Sequence, residues 1–319
     1  MSLINVKVVK IASEGEGIRS FLLRKTGFFK LPAYEPGAHI DVHCGEGIIR
    51  QYSLCGDQND RHHYMIAVKQ VELSRGGSDL MHLSVQEGDR LEIGSPRNNF
   101  SLYESAPHAV LLAGGIGITP IIAMADRLNA LGRSFELHYF SRGPEHTAFQ
   151  NRLLRGSFAT RVSLHEGLDV AATKARLKAV FASPPPRTQV YICGPGLFMA
   201  SAESTALKTI PAADIKLERF AANPATNIGP TAPFQIELAQ SETTLEVGAK
   251  ETILDVLQAH GIDAAFSCEQ GVCGTCVTRA LEGEPDHRDS FLSPKQRRAN
   301  QQICLCVSRS KSSKLVLEL

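Results

Sequence analysis

Within Cys268-Glu269-Gln270-Gly271-Val272-Cys273-Gly274-Thr275-Cys276, three thiols follow the spacing C-x4-C-x2-C, and a further pair comes at Cys304 and Cys306. Three thiolates on so short a loop can wrap two iron atoms, and the spacing is that of a plant-type [2Fe-2S] centre. Gly271 and Gly274 let the backbone turn tightly and bring N–H groups towards the sulfurs. A structural zinc site is the competing reading, but zinc loops more often pair their cysteines as two C-x2-C units. The fourth ligand is Cys304 or Cys306. Both lie on a strand-like run, where alternate residues face the same side, so both thiols are expected to point one way. Such a centre implies a chain that moves single electrons, and the remaining motifs are read in that light.

A chain of 319 residues has room for about two or three domains of roughly 100–200 residues. Its net charge of +1 and lack of a long Lys/Arg block argue against a nucleic-acid partner. The start, Met1-Ser2-Leu3-Ile4-Asn5-Val6-Lys7, alternates like a strand rather than reading as a signal peptide, and no run approaches a membrane span. Without an export signal, eight cysteines suggest reduced thiols, metal ligation and a cytoplasmic location.

Three segments follow from the pattern. Residues 1–105 carry short apolar runs separated by turn residues, at 4–11, 18–24, 38–43, 48–54, 63–71 and 90–93, which predicts an antiparallel β-barrel. One helix is expected to interrupt it, opening near Ser78. Over residues 106–222 the runs 109–113, 135–140, 161–165, 189–193 and 215–217 alternate with helical stretches such as 120–131, which predicts an α/β domain on a parallel sheet. Residues 223–233 hold the prolines of a linker. Beyond it, a hairpin (234–238 and 244–247), a helix (252–260) closed by Gly261, the cysteine loop and a last strand (315–319) predict a small α+β domain over 234–319.

Two of these segments carry anion-binding signals. Gly76-Gly77-Ser78 puts a serine suited to an N-cap before a helix, whose unpaired N–H groups and dipole attract a phosphate that Arg50 could also reach. Gly114-Gly115-Ile116-Gly117-Ile118-Thr119-Pro120 is a glycine-rich turn entering a helix, with Thr119 expected as N-cap and Pro120 at the first helical position. It departs from the generic G-x-G-x-x-G fingerprint. Cys193-Gly194-Pro195-Gly196 ends the fourth run of the α/β segment, the edge at which open sheets bind ligands. A small buried apolar residue is the alternative reading of Cys193, which is not expected to be a nucleophile. Ser141-Arg142 ends the second run, where an acidic residue would read the ribose of NADH and an arginine could accept the 2′-phosphate of NADPH.

Together these motifs resemble phthalate-dioxygenase-type reductases of the ferredoxin-reductase superfamily over essentially the whole chain: R-x-Y-S at Arg50-Gln51-Tyr52-Ser53, G-G-x-G-x-T-P at 114–120, C-G-P at 193–195, and the cysteine cluster. The resemblance implies that Arg50 meets a flavin phosphate, Tyr52 packs on the isoalloxazine ring and Ser53 lies near its N5. It also implies that Lys69 and the run 94–100 belong to flavin-domain segments, that Cys193, Gly194 and Pro195 border the nicotinamide, and that an aromatic such as Phe220 approaches the flavin. A core or linker-anchoring role for Phe220 is the alternative under ordinary burial preferences. Cys306-Val307-Ser308-Arg309 is similar to the segment after the last cluster cysteine, which selects Cys306 with Cys268, Cys273 and Cys276.

The cofactors so implied are FMN, NADH and a [2Fe-2S] cluster, with NADH favoured by the resemblance against the signal of Arg142. The implied activity is a reductase that takes a hydride from NADH and passes single electrons to a separate Rieske-type terminal oxygenase acting on an aromatic or similar small substrate. That partner is expected to dock transiently on a monomer. No C-x-H and C-x2-H pair is present to hold a Rieske cluster in this chain. An FAD-containing reductase serving another acceptor, such as a diiron monooxygenase, is the alternative, disfavoured by domain order. A zinc-containing, nonenzymatic nucleotide-binding module is the alternative of a different class.

Overall fold

The computed structural model describes residues 3–27, 29–45, 47–72, 74–221 and 232–319. These form two compact units, Met1–Glu218 and Arg219–Leu319. The linker assigned to 223–233 lies outside the described residues except for Ala232 and Pro233.

In the first unit, strands β1 (Ile4–Gly15), β2 (Ile18–Lys25), β3 (Ala38–Gly45), β4 (Ile48–Ser53), β5 (His63–Lys69), β6 (Arg90–Ile93) and β7 (Arg97–Asn98) pair antiparallel. The order is β4-β3-β6-β1-β2-β5, with β7 on β3. Beyond the end of β4, Leu54 bridges Ile66 of β5 and the Cys55 N–H donates to the Met65 carbonyl at 2.9 Å, closing the sheet into a barrel. Period-two alternation sends Val6 and Val8, Phe21 and Leu23, Ile40 and Val42, and Tyr64, Ile66 and Val68 into its core. Each such side chain contributes about 1.5–3 kcal/mol by leaving water. A short helix, α1 (Gly77–Asp79), runs into a π-turn over Leu80–Ser84.

The chain then builds a parallel sheet from β8 (His108–Gly114), β9 (Ser134–Ser141), β10 (Val162–Glu166), β11 (Thr188–Cys193) and β12 (Ile215–Glu218), in the order β10-β9-β8-β11-β12. Helices α2 (Ile118–Ala130), α3 (Gln150–Arg155), α4 (Val170–Val180) and α5 (Gly196–Ala206) fill the crossovers. Covered on both faces, β8 is apolar throughout its interior. Ala109, Leu111 and Ala113 pack with α2 and with Ile18, Ala67 and Phe100 of the barrel segment, while Val110 and Leu112 pack with the α4 and α5 side. Barrel and sheet therefore share a core.

In the second unit, β13 (Phe234–Leu238) and β14 (Thr243–Val247) make the expected hairpin. The strands β15 (Val277–Glu282), β16 (Pro285–Asp286), β17 (Gln302–Cys304), β18 (Arg309–Ser310) and β19 (Lys314–Leu317) complete it, the main sheet running β14-β13-β19-β15-β17. Helix α6 (Ile253–Ala259) is followed by Gly261 at φ +68°, as its sequence predicted, and opens on a capping box of Thr252 with Asp255. Helix α7 (Pro294–Ala299) has a second capping box, Ser293 with Gln296. No helix of the described residues is long and apolar enough to cross a membrane.

Candidate functional site

Strand order in the parallel sheet reverses between β8 and β11, so the turns leaving these two strands flank the topological switch point, where open sheets bind ligands. Their glycines let the turns abut. A Cβ on Gly117 would lie 2.3 Å from the Cys193 carbonyl oxygen, and one on Gly194 would lie 2.9 Å from the Gly114 Cα. The G-G-x-G and C-G-P motifs, far apart in sequence, are one structural feature.

The helix boundary differs from the expectation. Gly115–Gly117 forms a 3-10 turn and α2 begins at Ile118, so Thr119 and Pro120 sit inside the first turn rather than at N-cap and first position. The Thr119 hydroxyl donates back to the Ile116 carbonyl at 3.0 Å, bracing the glycine turn instead of capping the helix.

A cleft of about 630 Å³ opens beside this switch point. Gly114, Gly115 and Pro195 line its floor side, Ser141 and Arg142 the end of β9, Lys69 the barrel side, and Lys174 and Ser201 the α4 and α5 side. Of the sequence-derived nucleotide residues, Gly115, Ser141, Arg142 and Pro195 line it. Gly117, Thr119, Pro120, Cys193 and Gly194 lie behind these as the turn framework. An aromatic wall that the sequence reading missed stands on one side: Phe140 lies 4.4 Å from the His165 ring and 5.1 Å from Phe198, centroid to centroid. Burial pulls the His165 imidazole down to about 4, helped by the charges of His138 and Arg176.

Cys193 is fully buried, and burial first, then the neighbouring Glu218, pushes its thiol well up. It is thus a neutral thiol rather than a nucleophile. Glu218 is a second residue the sequence reading missed. It pairs with Cys193 in the β11–β12 register, and burial raises its carboxyl to about 8. The side chain is only half-buried as a whole, yet its Oε2 is enclosed and has no hydrogen-bond partner among the described residues. The available signal was a carboxylate ending a strand at the ligand-binding edge of a parallel sheet.

On the barrel, Arg50 and the Gly76-Gly77 turn come together. The Arg50 guanidinium donates to the Arg75 carbonyl at 2.8 Å, and a Cβ on Gly77 would meet Arg50 Cγ at 2.4 Å. Gly76 sits at φ +87°, which only glycine adopts cheaply. Ser78 does not cap the helix as expected. It lies within α1, where its hydroxyl donates to Ser74 Oγ and accepts the Val71 N–H. Tyr52 shares a face of β4 with Arg50 and packs on the barrel core, its phenol pushed up chiefly by burial and next by Cys44. Ser53 is buried on the opposite face.

In the second unit Cys268, Cys273, Cys276, Cys304 and Cys306 are all buried. Hydrogen bonds run from backbone to sulfur, among them Gln270 N–H to Cys268 Sγ at 3.3 Å and Thr275 N–H to Cys273 Sγ at 3.4 Å. Gly271 and Gly274 have positive φ, and a Cβ on Gly274 would lie 2.2 Å from the Phe291 ring. The turn carrying Phe291 is itself pinned, because the fully buried Asp289 carboxylate accepts the N–H groups of Phe291 and Leu292.

The expectation of one strand carrying both later cysteines fails. β17 ends at Cys304, and residues 305–307 turn, with Ser308 N–H donating to the Cys304 carbonyl at 3.0 Å. The two thiols therefore differ. Both thiols belong to the apolar core of the unit, but Cys306 Sγ lies 3.2 Å from Cys276 Sγ and also hydrogen-bonds Cys268, whereas among the described residues Cys304 shares a hydrogen bond with Cys276 and not with Cys268. Hydrogen bonds from Cys273 and Cys306 pull the Cys268 thiol down, and those from Cys304 and Cys306 pull Cys276 down. The shared protons push Cys306 up. Sulfurs so crowded, with N–H groups aimed at them, suit a shared metal centre that replaces the protons; the donor set fits a [2Fe-2S] cluster.

A closed antiparallel barrel joined to a parallel sheet with a glycine-lined switch point, and followed by an α+β unit with five crowded thiols, defines an electron-transferring oxidoreductase. Comparison with known proteins carries this further. The family model described as a 2Fe-2S iron-sulfur cluster binding domain matches residues 236–311. A vanillate O-demethylase oxidoreductase of Pseudomonas putida is 41% identical over 319 residues, covering 99% of this chain and 100% of the relative. Phthalate dioxygenase reductase, described as a modular structure for electron transfer from pyridine nucleotides to [2Fe-2S], superposes with a TM-score of 0.79 at 38% identity, covering 100% of this chain and 98% of the other. A type IV self-sufficient cytochrome P450 monooxygenase also matches, with a TM-score of 0.83 at 37% identity over 99% of this chain, which spans 41% of that protein. The chain belongs to the family of phthalate-dioxygenase-type reductases, and it is an oxidoreductase with a flavin barrel, a nucleotide-binding sheet and a C-terminal [2Fe-2S] domain.

Proposed function

We propose that the protein is the reductase component that passes electrons from NADH through FMN and a [2Fe-2S] cluster to a separate Rieske-type terminal oxygenase. The observation that carries this reading is the presence, on one chain, of a nucleotide-sized cleft at a sheet switch point and a buried group of crowded thiols. Bound flavin supplies the conversion of a paired electron delivery into single ones.

The chain's own part is binding and orientation. Arg50 with Gly76, Gly77 and Ser78 holds the flavin phosphate, Tyr52 and Ser53 border the ring, and Lys69 stands between barrel and cleft. Gly115, Gly117, Thr119 and Pro120 let the dinucleotide approach the backbone, Ser141 and Arg142 meet its ribose, and Cys193, Gly194 and Pro195 position the nicotinamide. Phe220, 42% exposed at the start of the second unit, is assigned to the flavin surroundings. Cys268, Cys273, Cys276 and Cys306 hold the iron; what supports Cys306 over Cys304 is its hydrogen bonding to two loop thiols rather than one. The corresponding division is 1–105, 106–222, a linker at 223–233 and 234–319.

The partner docks transiently on a monomer in the cytoplasm, since a donor that gives one electron at a time must release its acceptor between transfers. The experiment is analysis of the purified holoprotein. Two irons with acid-labile sulfide and one FMN are expected, together with NADH-dependent reduction of an added Rieske oxygenase. A single zinc, or FAD in place of FMN, overturns the corresponding part.

A further inference from the structure

The cleft that the proposed function assigns to NADH lacks the residue expected of a site that takes NADH alone. A site selective for an unmodified ribose places a carboxylate after the second strand of the sheet, to accept a hydrogen bond from the 2′-hydroxyl. Here β9 ends on Ser141 and is followed by Arg142, and both line the cleft. Lys174 of α4 lines it too, next to Thr173. Arg142 and Lys174 are exposed, and among the described residues neither side chain has a hydrogen-bond or ion-pair partner.

The nearby carboxylates are committed elsewhere. Glu166, at the end of β10, accepts from the Thr147 hydroxyl at 2.7 Å. Glu145 lies 3.5 Å from His146, and Glu16, the one carboxylate among the described residues that line the cleft, lies 3.8 Å from the same imidazole. The lining thus carries the cations of Lys69, Arg142 and Lys174 against the single anion of Glu16. Lys69 and Arg142 are neighbours: the Lys69 ammonium is pushed down by burial and then by the charge of Arg142. The pyrophosphate common to all these dinucleotides needs one basic region, at the glycine turn of β8. Arg142, just past the end of β9, and Lys174 on α4 add two cations to the lining beyond that region, which is chemistry for a second phosphate, and a guanidinium matches phosphate oxygens in a bidentate geometry.

We infer that the cleft accepts a 2′-phosphorylated dinucleotide, so that NADPH is a hydride donor alongside NADH, with Arg142 and Lys174 as the residues that take the 2′-phosphate. The inference rests on the reading of this cleft as the nucleotide site. The redox step is unchanged: the dihydronicotinamide gives one hydride to the flavin and leaves as the oxidised dinucleotide, the 2′-phosphate taking no part in bond making.

The test uses the holoprotein and two product fragments, 2′,5′-ADP and 5′-ADP, as competitive inhibitors of NADH-dependent ferricyanide reduction. Charge-assisted bonds to the extra phosphate predict that 2′,5′-ADP binds roughly tenfold or more tightly than 5′-ADP at low ionic strength, and that added salt shrinks this advantage. The ratio of kcat/KM for NADPH to that for NADH is expected to fall by roughly tenfold in Arg142→Ala and further in the double variant with Lys174→Ala. Equal inhibition by the two fragments, or a ratio unmoved in the double variant, overturns the inference while leaving the proposed function standing. Failure of NADH itself to reduce the flavin sinks both.

Discussion

Replacing Gly117 by alanine sets two effects of opposite sign against each other. The residue has φ −61° and ψ −5°, a helical conformation open to any amino acid. In open space the substitution would stabilise the protein by about 0.4–1 kcal/mol, because alanine has less freedom to lose on folding. The space is not open. The new Cβ would stand 2.3 Å from the Cys193 carbonyl oxygen, 2.4 Å from its carbon and 2.7 Å from the Gly194 nitrogen. All three are backbone atoms, held by the register of β11 against β8, in which Cys193 faces Ala113. No side chain can swing aside, and the oxygen is more than an ångström inside the optimal separation of roughly 3.5–4.0 Å. Overpacking of this kind costs about 1–3 kcal/mol, which exceeds the entropic gain. A net loss of roughly 1–2 kcal/mol corresponds to a fall in Tm of about 2–8 °C for a unit of this size. The two turns must also part at the switch point, and a loss of about 1.4 kcal/mol in binding there corresponds to a roughly tenfold fall in NADH affinity. Thermal unfolding and an NADH titration under anaerobic conditions read the two quantities. A variant with a raised Tm and unaltered NADH affinity would refute the close-approach argument.

The remaining predictions concern the sulfurs and the buried carboxyl. Cys306→Ser is expected to lose or alter the cluster's absorption and EPR signal while NADH still reduces the flavin. Cys304→Ser is expected to keep the cluster and to cost about 1–3 kcal/mol for a hydroxyl placed in the apolar core; the reverse pattern would reassign the fourth ligand. Glu218 predicts a pH dependence of the apoprotein. Its folded-state value of about 8 lies above the ordinary 4.5, so the stability present below pH 4.5 is lost progressively as pH rises towards 8, while the unfolded chain is ionised. The loss is at most about 5 kcal/mol, and smaller because the side chain is half-solvated. Glu218→Gln should therefore gain on the wild type between pH 5 and pH 8 in Tm measurements, and a constant difference across that range would contradict the raised carboxyl.

Periodicity made most of the architecture legible. The alternation of Val6 and Val8 or Tyr64, Ile66 and Val68 is local, and so is the unbroken apolar run of β8; each specifies a strand and its buried faces without knowledge of the neighbours. Features resting on two distant segments were not legible. Leu54 closes the barrel only because it meets Ile66, and Glu218 acquires its raised carboxyl only beside β11. The abutment of Gly117 on Cys193 likewise joins two motifs whose individual sequences give no hint of contact.

The errors at helix starts have a local cause. Thr119-Pro120 and Gly77-Ser78 carry N-cap signals, but a 3-10 turn at Gly115–Gly117 and the left-handed Gly76 begin the helices earlier, leaving both hydroxyls to brace turns. At Cys304-Leu305-Cys306 alternation presumed a strand where the chain turns, and so could not separate the two thiols. The cysteine spacing itself survived because three ligands on one loop need no distant partner to be recognised.

The central claim is that electrons entering as a pair at the nucleotide cleft leave singly from the four-sulfur site. Anaerobic titration of the holoprotein with NADH, followed by visible absorption and EPR together, tests it directly. The account predicts bleaching of the flavin accompanied by loss of iron–sulfur absorption and the EPR signal of a reduced [2Fe-2S] centre; bleaching of the flavin with the iron–sulfur bands unchanged and no such signal would contradict it.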